Sequence, residues 1–231
     1  MAAKACSVLI TGANRGLGLE MVKQMVESPC PVRQLLACCR DLDGLRSLRD
    51  LAKKHPNVIT VICLDATDPC SIKESAKQVG SLVGKAGHGG ADSRHHDIQN
   101  VFNTEGMIHF CFLCLPLCPC ATASGKPGMS CSKAAVVSIS STVASMATVK
   151  EMYSFFPMAS DGLNMLALCA TEEFRKDEIL FAILHPGWVR TDMGGEGVSL
   201  TESVGLLRAM DSLTEKQTGA FLDYEGKVMP W

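Results

Sequence analysis

The run Thr11-Gly12-Ala13-Asn14-Arg15-Gly16-Leu17-Gly18 restricts this chain's fold more than any other feature, because it directly follows a strand-like apolar segment, 6–11, and opens a helical pattern, 17–27. Glycine lets the chain turn sharply from strand into helix. It also leaves bare backbone where an anion can approach the positive end of the helix. Glycines alone specify little, but a strand before and a helix after them narrow the reading to a βα unit that cradles a pyrophosphate.

The alternation continues downstream. Leu17, Met21, Val22 and Met25 share one helical face, the helix stops near Pro29, and 34–39 is a second strand. Leu42, Leu45, Leu48 and Leu51 make 42–54 amphipathic, 58–64 returns as strand, and Asp68 is placed to cap a helix that begins with Pro69. Three βα units in a row predict a parallel sheet covered by helices, a Rossmann-like doubly wound α/β fold. From 84 to 100 the pattern collapses into a polar, glycine- and histidine-rich stretch, so the fourth strand is expected to be missing or disordered. Order returns with a helix at 107–117, strand 134–140, helix 161–174, strand 179–184, helix 203–213 opened by Thr201 or Ser203, and strand 219–224.

A dinucleotide site also needs a group for the adenosine ribose, an acid for a free 2′-hydroxyl or a cation for a 2′-phosphate. The second strand ends in Cys38-Cys39-Arg40-Asp41. Arg40, with Arg15 from the glycine turn, suits the phosphate of NADP, whereas Asp41 is the alternative for NAD; the arginines favour NADP.

With TGANRGLG stand Leu64-Asp65-Ala66-Thr67-Asp68, Ser138-Ile139-Ser140-Ser141 and Leu184-His185-Pro186-Gly187-Trp188-Val189-Arg190-Thr191-Asp192-Met193. Together these segments resemble the short-chain dehydrogenases/reductases, closest to the C-factor-like and sniffer-like NADPH-dependent carbonyl reductases. The resemblance extends to Leu163-Asn164-Met165-Leu166 and to the ending Leu222 through Trp231, and leaves about 88–98 without a counterpart. It implies NADPH-dependent reduction of small carbonyl compounds. Gly12, Asn14, Arg15, Gly16, Leu17, Gly18 and Arg40 would then hold the phosphates, Asp65 the adenine edge, and Pro186, Gly187 and Thr191 the nicotinamide end. Ser141 matches the substrate-orienting serine, and Asn103 falls on the family's helix asparagine.

In that family a Tyr protonates the carbonyl oxygen and a Lys four residues later lowers its pKa. Counted back from Leu163-Asn164-Met165-Leu166 without gaps, the Tyr position falls on Phe156 and the Lys position on Ser160. Tyr153 offers a phenol in a shifted register, but Pro157 stands four residues on. The Asn-Asn-Ala-Gly segment of the family is absent as well. The expectation is an impaired reductase, with a catalytically inactive NADP-binding or partner-binding paralogue as the alternative.

The bulk numbers fit one core. A chain of 231 residues that is 47% hydrophobic and 20% charged reads as a single domain, 1–231. A formal charge of −2 without basic runs argues against nucleic acid or an anionic membrane as partner. The most apolar later stretch, 107–121, contains His109, Pro116 and Pro119 and is shorter than the roughly 20 residues of a membrane span. No secretion signal is read at the N-terminus, so the protein is expected to be cytoplasmic with its 12 cysteines reduced. Cys111, Cys114, Cys118 and Cys120 beside His95, His96 and His109 lack paired CxxC spacing, and no metal is expected. By resemblance the helices at 107–117 and 161–174 are where a homodimer would form.

Overall fold

The computed structural model describes residues 7–29, 32–40, 46–84, 128–131, 134–147, 157–190 and 205–231. They fall into two compact units, one within 6–119 and the other within 120–231.

In the first unit β1 (Ser7–Thr11), β2 (Gln34–Cys39) and β3 (Ile59–Cys63) form a parallel sheet with β2 in the centre. Its connections are α1 (Gly16–Glu27) and α2 (Arg46–Lys54), and α3 (Pro69–Gly84) follows β3. Successive strand residues point to opposite faces, and β2 shows what that does to a continuous apolar run. Leu35, Ala37 and Cys39 pack with Val22 and Val26 of α1 and Leu48 of α2. Leu36 and Cys38 pack on the other face with Ile72, Ala76 and Val79 of α3. Both faces are thus covered by helices, the doubly wound arrangement expected from the alternation. Asp68 caps α3 as expected, its Oδ1 accepting from the Cys70 amide at 2.9 Å.

The second unit has its own parallel sheet of β4 (Ala135–Ile139), β5 (Leu180–His185) and β6 (Phe221–Asp223), with β5 in the centre. Helix α4 (Pro157–Glu173) packs on β5 and on the 3-10 turn Thr142–Ala144. Helix α5 (Gly205–Ser212) buries Leu206 and Ala209. The core of this unit includes Leu180, Ile183, Leu184, Phe221 and Leu222, each worth about 1.5–3 kcal/mol when fully buried.

Among the described residues, two element starts differ by more than one residue from the sequence reading. Helix α4 begins at Pro157 rather than at residue 161, because the first position of a helix needs no amide donor and proline's fixed φ already suits it. The last strand is shorter than 219–224, since the Gly219 amide turns to the Phe181 carbonyl at 2.8 Å and the Ala220 amide to Gln217 at 3.0 Å. The stretch 85–100, the helix at 107–117 and the capping Thr201 and Ser203 lie outside the described residues.

Candidate functional site

The three parallel strands of the first unit end on one edge, and the loops that leave them carry most of the residues singled out in its sequence. After β1 the chain turns at Gly12, whose φ of +64° is a left-handed conformation that side chains rarely adopt. The buried Ala13 donates its amide to the Cys38 carbonyl at 3.0 Å, which ties the turn to the end of β2. Gly18 is needed for a different reason. A Cβ there would lie 2.3 Å from the Gly12 oxygen and 2.9 Å from its carbonyl carbon, so α1 can sit this close to the turn only without one. A Cβ on Gly12 would meet nothing within 4 Å, so the turn is open on that side. Arg15 is the extended residue that caps α1, and its side chain does not cap the helix amides. An open glycine turn with helix N–H groups behind it is the environment a pyrophosphate requires, and these residues fit one.

Arg40 follows β2 directly and is exposed; its carbonyl accepts a hydrogen bond from the Cys63 thiol at 3.4 Å. Asp65 lies two residues past β3, where its Oδ1 accepts from the Thr67 amide at 2.9 Å and the Thr67 hydroxyl at 2.7 Å. Its own amide donates to the Ser71 hydroxyl at 2.9 Å. These Thr67 bonds hold the Asp65 carboxyl below the usual carboxylate range, and the charge of Arg40 acts in the same direction. A cation that suits a phosphate and an anion fixed by its own loop therefore stand near each other at the strand ends.

The second unit repeats the plan. Past β4 the Ser140 amide donates to the Leu184 carbonyl at 2.8 Å, which places Ser141 at the carboxyl end of the sheet. Ser141 then starts the 3-10 turn, its carbonyl accepting from the Ala144 amide at 2.9 Å. Asn164 of α4, only 1% exposed, grips both ends of this turn. Its Oδ1 accepts from the Ser140 hydroxyl at 2.7 Å and its Nδ2 donates to the Ala144 carbonyl at 3.2 Å. The sequence reading used Asn164 only as an alignment anchor and missed this part; a serine pair 24 residues before a Leu-Asn in a helical stretch was the available signal.

Past β5 come Pro186 and Gly187, the latter at φ +76° with the Tyr224 ring against it. His185, at the end of β5, has a buried Nδ1 without a hydrogen-bond partner among the described residues. Burial pushes its pKa below the ordinary value, with Asp223 pulling the other way. Asn103, Asp41, Tyr153, Phe156 and Thr191 lie outside the described residues, and Ser160 falls within α4. No group of His, Cys, Asp and Glu able to hold a metal occurs among the described residues, and Cys111, Cys114, Cys118 and Cys120 with His95, His96 and His109 lie outside them.

Comparison with known proteins settles the family. The model of the short chain dehydrogenase family matches residues 7–199, which include both sets of strand-end loops. The chain belongs to the short chain dehydrogenase family. Among curated members it is 39% identical over 79 residues to C-signal of Myxococcus xanthus, a match of 33% of this chain and 48% of that protein. Among solved structures it is similar to an NADPH-bound carbonyl reductase from chicken fatty liver, with 35% identity, a TM-score of 0.85, and coverage of 99% of this chain and 95% of that one. It is also similar to carbonyl reductase Sniffer of D. melanogaster, with 29% identity, a TM-score of 0.84, and coverage of 98% and 99%. Gly12, Asn14, Arg15, Arg40, Asp65, Pro186 and Gly187 sit on loops that leave strand ends, with Gly16, Leu17 and Gly18 in the first turn of α1; open α/β sheets bind ligands at such strand ends.

Proposed function

We propose that this short chain dehydrogenase binds NADP(H) and is a carbonyl reductase by kinship whose turnover is slow. The observation that carries the cofactor reading is the open turn at Gly12, closed from behind by Gly18, with Arg40 at the end of the next strand. Helix α1 offers its amides to the pyrophosphate. Arg40, assisted by Arg15, pairs with the 2′-phosphate, and Asp65 borders the adenine. In the other half Pro186, Gly187 and Thr191 meet the nicotinamide end. When bound, NADPH supplies hydride to a carbonyl carbon.

Ser141 orients the substrate oxygen, held in place through the bonds that Asn164 makes on either side of it. Asn103 belongs to the same set by resemblance. The proton is the weak point: Phe156 has none to give, Ser160 carries no charge, and of the chain's two tyrosines Tyr153 is the one that stands close to these positions in sequence. That pattern supports the second reading, a protein that binds the cofactor and hardly turns over. The protein is taken to be cytoplasmic, with a homodimer as the expected assembly. NADPH titration by fluorescence, followed on the same sample by NADPH oxidation with a panel of aldehydes and ketones, tests both readings. Binding with measurable turnover supports a reductase, binding without turnover the inactive form, and no binding refutes both.

A further inference from the structure

Asp65 stands on a backbone fixed from both sides. The Leu64 amide before it donates to the Cys39 carbonyl at 2.9 Å, its own amide donates to the Ser71 hydroxyl at 2.9 Å, and its carbonyl accepts from the Asp68 amide at 3.2 Å. What such a backbone leaves open is the last torsion of the side chain. In aspartate that torsion is broad and roughly two-fold, so by itself the carboxylate could present either oxygen over a range of angles.

Thr67 removes that freedom. Its amide and its hydroxyl both donate to the same oxygen, Oδ1, at 2.9 Å and 2.7 Å. An ionised carboxyl has about four lone-pair sites shared between its two oxygens, so these bonds occupy Oδ1 and leave Oδ2 for a donor from outside. Among the described residues none donates to Oδ2. The Thr67 bonds, with the charge of Arg40, also favour the ionised carboxyl, which can only accept. Thr67 is itself exposed, so replacing it removes no core packing.

We infer that Thr67 is a positioning residue for base selection at the adenine end of the cofactor site, holding Oδ1 of Asp65 so that Oδ2 is turned toward the 6-position of the purine. The inference rests on the cofactor reading proposed above. An outward acceptor attracts a 6-amino group and repels a 6-oxygen, so the setting that Thr67 imposes separates adenine from a 6-oxopurine.

The experiment compares the full chain with Thr67→Val, Thr67→Ser and Asp65→Asn. Each is titrated by fluorescence with NADPH, with NADH, and with reduced nicotinamide hypoxanthine dinucleotide phosphate, the 6-oxo analogue of NADPH. The unmodified chain should prefer NADPH to the 6-oxo analogue by about tenfold, the scale of one charge-assisted hydrogen bond. Thr67→Val, which loses the hydroxyl, should narrow that preference to about threefold, and Thr67→Ser should restore it. The ratio of NADPH to NADH affinity is set at the 2′-phosphate and should not change in either Thr67 variant. In Asp65→Asn the two Thr67 donors claim the amide oxygen and turn Nδ2 outward, so the preference should vanish or reverse. Without ligand, the Asp65 carboxyl followed by carbon NMR should titrate higher in Thr67→Val than in the unmodified chain. An unchanged preference or titration in Thr67→Val, a Ser variant that behaves like Val, both ratios falling together, or an Asn variant with its full preference would overturn the inference. If the unmodified chain binds NADPH and the 6-oxo analogue equally, the cofactor reading stands and this inference alone falls; if it binds none of the three, the cofactor reading fails and the inference with it.

Discussion

Replacing Gly18 by alanine sets two effects of opposite sign against each other, and the structure decides between them. Alanine in a helix interior is favoured over glycine by about 1 kcal/mol, so an unobstructed site would gain stability. At Gly18 the added Cβ would lie 2.3 Å from the Gly12 oxygen, 2.9 Å from the Gly12 carbon and 3.2 Å from the Ala13 Cα, all backbone atoms. Carbon and oxygen not bonded to each other rest more than 3 Å apart, so α1 and the turn must separate by most of an ångström. The Ala13 amide bond to Cys38 resists that separation. Overpacking of this kind costs about 1–3 kcal/mol, and more where rigid backbone is involved, so the helix gain is outweighed. The expected net loss is about 2 kcal/mol, together with a fall of at least ~10-fold in NADPH affinity as the turn opens. Gly162 in α4 is the internal control, since a Cβ there meets nothing within 4 Å and Gly162→Ala should stabilise. Urea denaturation of both variants beside NADPH titration is the assay. A Gly18→Ala protein as stable as Gly162→Ala, binding NADPH normally, would show that the close approach of turn and helix is not a constraint.

Three further outcomes are expected. Arg40→Ala should narrow the preference for NADPH over NADH by about tenfold, because a charge-assisted contact at an exposed site is partly screened by salt; parallel titrations in which the ratio does not change would remove Arg40 from the site. Phe156→Tyr with Ser160→Lys should raise NADPH oxidation with small carbonyls by about two orders of magnitude or more, and by more than the product of the single changes; robust turnover of the unmodified chain that Tyr153→Phe abolishes would make Tyr153 the acid instead. His185 has its pKa lowered by burial, so the unfolded chain binds the proton more readily; stability should be full above the ordinary value of 6.5, decline as pH falls below it, and level off beneath the folded pKa. Denaturation at a series of pH values should show that decline reduced in His185→Gln, and an unaltered profile would assign it to other groups.

The first unit was legible because each of its signals is local. Strand 34–39 was read to the residue, since an apolar run buried on both faces has no polar alternation to blur its ends. The glycine turn could be read because its strand and helix are its immediate neighbours. The second unit depends on contacts that sequence spacing does not encode. Asn164 reaches a turn more than 20 residues away, and Tyr224 meets two glycines that read singly as ordinary turn or loop residues. The start of α4 was missed because Pro157 resembles a break until its place at the first helical position is known.

Asn164 also determines how α4 is set against the turn it meets. A helix can rotate about its axis without altering its sequence, and a few tens of degrees would carry any side chain on it away from the turn it serves. Here one buried amide, bonded to Ser140 and Ala144, locks the rotational setting of α4 against the turn that bears Ser141.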